Sequence, residues 1–267
     1  MALLGAGGQA ARVGGPIRAA VFDIGATLVT GPSVAPNKVI AALMDGVTAA
    51  EVASVIMTRC FAGPEEVCAA LESRFGPLPP AAARGVRELW NLQSDAAREI
   101  EGASAAVLAL RRRGLKIGLL SDIWNPYYAS VEKAIPAVVE CADAVILSFR
   151  TGARKPSPDN FLRMISQLGI GPREAVMIGD TYAHDVLPAL QVGMEAVWVL
   201  ARPERERADL VEIFNGTKPA PTAAVARIAD VPDLWIWSAR GERKAAPSPP
   251  GEGEETSPRS SPAGRGS

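Results

Sequence analysis

The chain is poor in histidine, cysteine and aromatic residues: one histidine (His184), three cysteines and 5% aromatics in 267 residues. A single histidine excludes His-rich metal sites and paired-histidine acid–base chemistry. Cys60, Cys68 and Cys141 form no CxxC pair and cannot all pair with one another. That argues against a disulfide scaffold and for a reducing compartment, with the thiols read as small buried hydrophobes. Scarce aromatics leave little material for base-stacking platforms. An excess of one charge is also lacking. Against 29 acidic residues stand 28 basic ones, a net charge of -1, unlike a basic nucleic-acid binder. No apolar run approaches the roughly 18 residues that span a bilayer. The opening MALLGAGGQAARVGG has no basic stretch before its short apolar piece, a poor fit to a signal peptide. The expectation is a cytoplasmic protein with no nucleic-acid or membrane partner. No motif marks an oligomer interface.

Apolar material is ample, at 48%, and the length suits one or two domains. Residues 241–267 hold five Pro, five Gly and five Ser, too little apolar surface to offset ordering entropy, so a disordered tail is expected. Residues 1–16 are Gly/Ala-rich and read as a flexible N-terminus. Between them lie short runs rich in Val, Ile and Leu: 19–23, 116–122, 143–148, 174–180 and 195–200. They are apolar throughout, as strands covered on both faces are. Helical stretches at 103–113, 158–168 and 183–192 separate the later ones. This alternation predicts an α/β fold with a doubly wound parallel sheet, whose crevice opens at the carboxyl ends of the strands. Residues 31–100 break the alternation and read as helices at 36–44, 48–60, 64–75 and 80–99. They predict a helical insertion placed over the first strand's end like a lid, leaving 17–30 and 101–240 as the core.

Four local features carry chemistry. Asp23 ends the first strand in Asp-Ile-Gly-Ala-Thr-Leu; it is a nucleophile or metal ligand, or else a plain Asp-Gly turn. Ser121 ends the second strand and offers a hydroxyl to phosphate, or else N-caps a helix. Lys155, in Thr-Gly-Ala-Arg-Lys-Pro-Ser-Pro, neutralises phosphate and a carboxylate, or is solvated. Asp180 and Asp185 follow a buried strand in Gly-Asp-Thr-Tyr-Ala-His-Asp. They suit Mg2+, or an N-cap with an acid in the first turn.

In order, strand–Asp, strand–Ser, loop–Lys and strand–Gly-Asp, the set resembles the haloacid dehalogenase-like hydrolase superfamily over about residues 17–200. TGARKPSPDNF and AVMIGDTYAHDVLPALQVGM are especially like its third and fourth motifs. The helical insert is similar to a C1-type cap on a Rossmannoid core. The resemblance implies a Mg2+-dependent phosphohydrolase acting on a small phosphorylated metabolite. Asp23 matches the nucleophile that forms an aspartyl-phosphate. Thr27 would help hold that loop and the phosphate, and Ser121 matches the phosphate-binding hydroxyl. Lys155 matches the lysine that steadies nucleophile and phosphate. Asp180 and Asp185 match the acidic metal positions, with the Asp23 carboxylate and the Gly25 carbonyl completing the Mg2+ site.

One departure stands out. Family phosphatases usually carry a second aspartate two residues after the nucleophile, as general acid and base. Here that position is Gly25, and such a group contributes roughly 10²–10⁴-fold in rate. One explanation is a substrate with a good leaving group, such as an acyl phosphate or a sugar 1-phosphate. Otherwise the insert supplies an acid from Glu51, Glu65, Glu66, Glu72 or Glu88, or the protein is a weakly active or non-catalytic binding relative. A metal-independent 2-haloacid dehalogenase-type hydrolase is the alternative enzyme, since family dehalogenases also lack that aspartate. His184 reads as pointing away from the metal, and Arg150 and Arg154 as surface cations. Arg59, Arg74, Arg84, Arg87, Trp90 and Asn91 are the insert residues available to line a pocket. Trp235 and Trp237 read as packing residues.

Overall fold

The computed structural model describes residues 15–237. The stretch 241–267 read as disordered lies outside them, as does nearly all of 1–16. Among the described residues there are eight strands: β1 Ala19–Phe22, β2 Val29–Thr30, β3 Arg98–Glu99, β4 Lys116–Ser121, β5 Ala144–Leu147, β6 Ala175–Gly179, β7 Glu195–Val199 and β8 Ala223–Val225. Six form one parallel sheet in the order β5-β4-β1-β6-β7-β8. This is the doubly wound α/β fold expected from the apolar runs. β8 is an addition to the sequence reading, because a three-residue, alanine-rich edge strand carries little signal of its own.

Successive side chains of a strand point to opposite faces, and the core divides accordingly. Ala20 and Phe22 of β1 join Ile117, Leu119, Val176 and Ile178 beneath helix Ala103–Arg112. Ala19 and Val21 join Leu120, Met177 and Trp198 beneath helix Pro158–Leu168. Helix Pro158–Leu168 starts with proline at its first position, where the missing N–H costs nothing. Ser157 caps it by accepting from Asp159 N.

From β1 the sheet grows outward to β4 and β5, and on the other side to β6, β7 and β8. The order therefore reverses between β1 and β6, where ligands bind in open α/β sheets. In the paired register Phe22 lies beside Leu119 and Ile178, and the Asp23 N–H donates to Ile178 O at 2.9 Å. The ends of β1, β4 and β6 thus bring Asp23, Ser121 and Asp180 to one edge.

Four helices, Pro36–Ala41, Ala49–Ile56, Pro64–Phe75 and Pro80–Gln93, share a hydrophobic cluster of Ile40, Val52, Ile56, Leu71 and Val86. The last is shorter than the expected 80–99. Beyond Gln93 the chain turns, and Arg98–Glu99 pair antiparallel with Val29–Thr30. Strand pairing across the insert's two ends overrides local helix preference there. Trp124, just after β4, also belongs to the helical cluster. Its indole N–H donates to Gln93 Oε1 at 3.1 Å, and Trp90 meets it edge-on at 5.9 Å. Asn125 brackets the Phe61 backbone, accepting from its N–H at 3.2 Å and donating to its carbonyl at 2.8 Å. Among the described residues, no helix is long and apolar enough to cross a membrane.

Candidate active site

A cleft of about 160 Å³ opens at this edge, lined by Asp23, Gly25, Ser121, Asp122, Lys155, Asp180, Thr181, His184, Asp185 and Arg202. Lys155 is its hub. The ammonium donates to Asp185 Oδ1 at 2.6 Å, Asp23 Oδ1 at 2.7 Å and Leu120 O at 3.4 Å. The lysine side chain is only 4% exposed, so the solvated alternative does not describe it. Ser121 donates its hydroxyl to Asp23 Oδ1 at 3.2 Å. Both contacts fall on Oδ1, and Oδ2 of Asp23 takes neither.

Asp185 reaches the cluster through a π-helical turn, Tyr182–Val186, a form that recurs at functional sites. Its carboxylate also accepts from Thr181 N at 3.0 Å. Two further contacts pin the segment: Tyr182 N donates to Glu206 Oε2 at 2.8 Å, and Trp198 Nε1 donates to Asp180 O at 3.0 Å. The Asp180 carboxylate accepts from Arg202. Asp122 accepts from the Lys155 N–H at 3.0 Å, and Arg154 stands 3.5 Å from its other oxygen.

Four carboxylates therefore face three cations at this cleft. Burial pushes Asp23, Asp185, Asp180 and Asp122 above the usual carboxylate range; Lys155 opposes that rise in each, and in each a neighbouring carboxylate adds to it. For Lys155 burial works against the ammonium, but Asp185, Asp23 and Asp122 outweigh it and raise its pKa. The Tyr127 phenol is pushed up to about 12, by burial and then by the Asp23 charge.

One oxygen from each of Asp23, Asp180 and Asp185 lies within 4.8 Å of the others. Hard oxygen donors in excess of local positive charge are the chemistry Mg2+ selects. Asp185 already spends both oxygens on Lys155 and Thr181, yet a carboxylate has about four acceptor positions, so ligation stays open to it.

Of the residues singled out from sequence, Asp23, Gly25, Ser121, Lys155, Asp180 and Asp185 meet in this cleft. Thr27 is not brought there: it is wholly buried and its hydroxyl has no partner. His184 is exposed and is among the residues lining the cleft. None of the proposed insert acids lines it: Glu51 closes a capping box with Thr48, Glu65 pairs with Arg87, and Glu66 accepts from Ala62 N. Arg150 stacks on Tyr128 and Phe149 at 5.3 and 5.4 Å. Cys60 is exposed, not a buried hydrophobe. Trp237 packs, donating to Val231 O at 2.6 Å, whereas Trp235 is exposed. The sequence reading missed Asp122 and Arg202. Asp122 adjoins Ser121 and was open to notice; Arg202 lies 22 residues beyond Asp180, with no local pattern linking them.

A sequence model of the haloacid dehalogenase-like hydrolases matches residues 17–193. Among curated proteins, the glyceraldehyde 3-phosphate phosphatase of Pyrococcus furiosus is 30% identical over 120 residues, 45% of this chain and 50% of that protein. The phosphoserine phosphatase of Thermus thermophilus is 33% identical over 122 residues, 42% and 48% of the two chains. The chain spans about half the length of the curated relatives it matches. Among solved structures, the 2-haloacid dehalogenase of Pseudomonas syringae pv. Tomato DC3000 superposes with a TM-score of 0.55 at 18% identity, over 81% of this chain and 97% of that one. That likeness is one of fold.

Proposed function

The chain belongs to the haloacid dehalogenase-like hydrolase family, and from that premise we propose that it is a Mg2+-dependent phosphohydrolase acting on a small phosphorylated metabolite. The observation that carries this reading is the Asp23–Lys155–Asp185 cluster with Asp180 beside it. Asp23 is the nucleophile: a carboxylate oxygen attacks phosphorus, the bond to the leaving oxygen breaks, and an aspartyl-phosphate forms. Water then cleaves that acyl phosphate and restores Asp23. Lys155 holds Asp23 in place and offsets charge on the phosphoryl oxygens, and the Ser121 hydroxyl binds one of them; positioning and electrostatics supply most of the catalysis in such transfers. Asp23, Asp180, Asp185 and the Gly25 carbonyl would hold Mg2+, which when bound neutralises charge on the transferring group.

Gly25 supplies no proton to the leaving oxygen, so the reading favours a good leaving group, such as an acyl phosphate or a sugar 1-phosphate. The four helices between residues 36 and 93 act as the cap, excluding water and setting specificity. The free cysteines at 60, 68 and 141 support a reducing, cytoplasmic setting.

Phosphate release from an aryl phosphate, with Mg2+ and with EDTA, tests the reading, because an aryl leaving group needs little protonation. Metal-dependent release that Asp23→Asn abolishes is the expected result. Release untouched by Asp23→Asn would overturn it; no release from either protein would put the dehalogenase and non-catalytic readings first. Gly25 also suits a second reading, carbon–halogen hydrolysis through an ester on Asp23. Halide release without metal distinguishes it.

A further inference from the structure

The Asp180 carboxylate, one of the three that converge on the metal position, is held by the Arg202 guanidinium. Arg202 follows β7, on the opposite side of β6 from Asp23. We propose that Arg202 is the built-in counter-cation of the metal-free site, and that Mg2+ binds by displacing it from Asp180. This inference rests on the metal-site reading above.

Three observations support it. First, charge: with carboxylates from Asp23, Asp122, Asp180 and Asp185 crowded into one small cleft, the metal-free fold needs a cation at Asp180, because Lys155 is committed to Asp23 and Asp185. An unpaired buried carboxylate is costly. Second, the fit of the guanidinium is incomplete. Arg202 Nε is buried without an acceptor, so the arginine leaves donors unused that a settled bidentate pair would spend. Third, the arginine has somewhere to go: its side chain is 35% exposed while that of Asp180 is 6% exposed. A divalent ion and a guanidinium at contact distance from one carboxylate repel one another, so occupation by one disfavours the other.

The arginine also sits on a segment tied to the Asp185 turn. Arg205 N donates to Arg202 O at 3.0 Å, and Glu206 N to Pro203 O at 3.2 Å. Glu206 in turn accepts the Tyr182 N–H at 2.8 Å. Metal arrival is thereby coupled to a segment that holds the turn carrying Asp185.

The test is calorimetric titration of Mg2+ into EDTA-treated, full-length protein, comparing wild type with Arg202→Gln, Arg202→Lys, Asp180→Asn and, as control, the exposed neighbour Arg205→Gln. Arg202→Gln is expected to bind Mg2+ about five- to tenfold more tightly than wild type, the size of removing one competing ion pair. Arg202→Lys is expected between them and Arg205→Gln unchanged. In EDTA, Arg202→Gln should melt below wild type and recover more on Mg2+ addition. Should that variant fold poorly, Arg202→Lys still decides the matter, because it too must bind Mg2+ more tightly than wild type. Unchanged or weaker Mg2+ affinity in both Arg202 variants, with Asp180 still required for binding, overturns this inference alone. Binding that ignores Asp180→Asn overturns the metal-site reading and this inference together.

Discussion

The carboxyl of Asp185 lies directly against the Cα of Gly179, where an added β-carbon would come within 2.5 Å of its Oδ2. Glycine at the end of β6 is thus a condition for Asp185 to reach Lys155 and Thr181. Gly179→Ala must push the carboxylate off both partners. Overpacking of this kind costs about 1–3 kcal/mol. Urea denaturation should show that loss, and phosphate release should fall with it; an unchanged midpoint would mean the turn shifts freely.

Gly25 is the contrasting case. No heavy atom lies within 4 Å of where its β-carbon would stand, and it is not among the glycines with positive φ. Sterics do not demand glycine there. Gly25→Asp should fold with wild-type stability and supply the absent acid. Turnover of alkyl phosphates should rise by about 10²-fold or more, given the usual contribution of a general acid, with little change for aryl phosphates. Equal rates for both proteins on alkyl esters would show that protonation does not limit the reaction.

The raised pKa of Asp180 gives a pH dependence with a definite sign. Burial, and then the Asp23 charge, makes the folded carboxyl take a proton at higher pH than the ordinary value of 3.8. Between those two values the folded state binds more protons than the unfolded chain, so lowering pH through that window stabilises the metal-free fold. In EDTA, wild type should gain on Asp180→Asn as pH falls toward the ordinary carboxylate value of 3.8, and Mg2+ should bind more weakly at the acid end. Melting curves of both proteins check the sign. A gap that widens in the other direction would mean Arg202 dominates burial.

Trp124 ties the loop after Ser121 to the helices of the insert. It is 1% exposed, within their hydrophobic cluster. Trp124→Ala should cost about 3–5 kcal/mol, as large aromatic truncations do. Asn125→Ala removes only the two Phe61 hydrogen bonds, at about 1–3 kcal/mol for the groups left unpaired. Limited proteolysis should then cut the insert more readily in both, Trp124→Ala more so.

What residue type and spacing establish is local. The runs at 19–23, 116–122 and 174–180 read as buried strands, and parallel pairing carries their terminal residues, Asp23, Ser121 and Asp180, to one edge. Proline at 158 and glycine at 169 bounded a helix that the structure reproduces as Pro158–Leu168. The end of the fourth insert helix was not legible, because Arg98 and Glu99 are strand residues only through pairing with Thr30 and Val29. Thr27 sat in the right motif, yet the turn after Asp23 buries it away from the cleft. Arg202 had no motif at all. Its place beside Asp180 follows from β7 lying next to β6, and the charge of the carboxylate cluster gives the guanidinium its reason to stay there. Residue type and period fix which elements form and what chemistry their ends carry. Which cation meets which carboxylate depends on distances set across the sheet between residues far apart in the chain, and only the tertiary structure decides those.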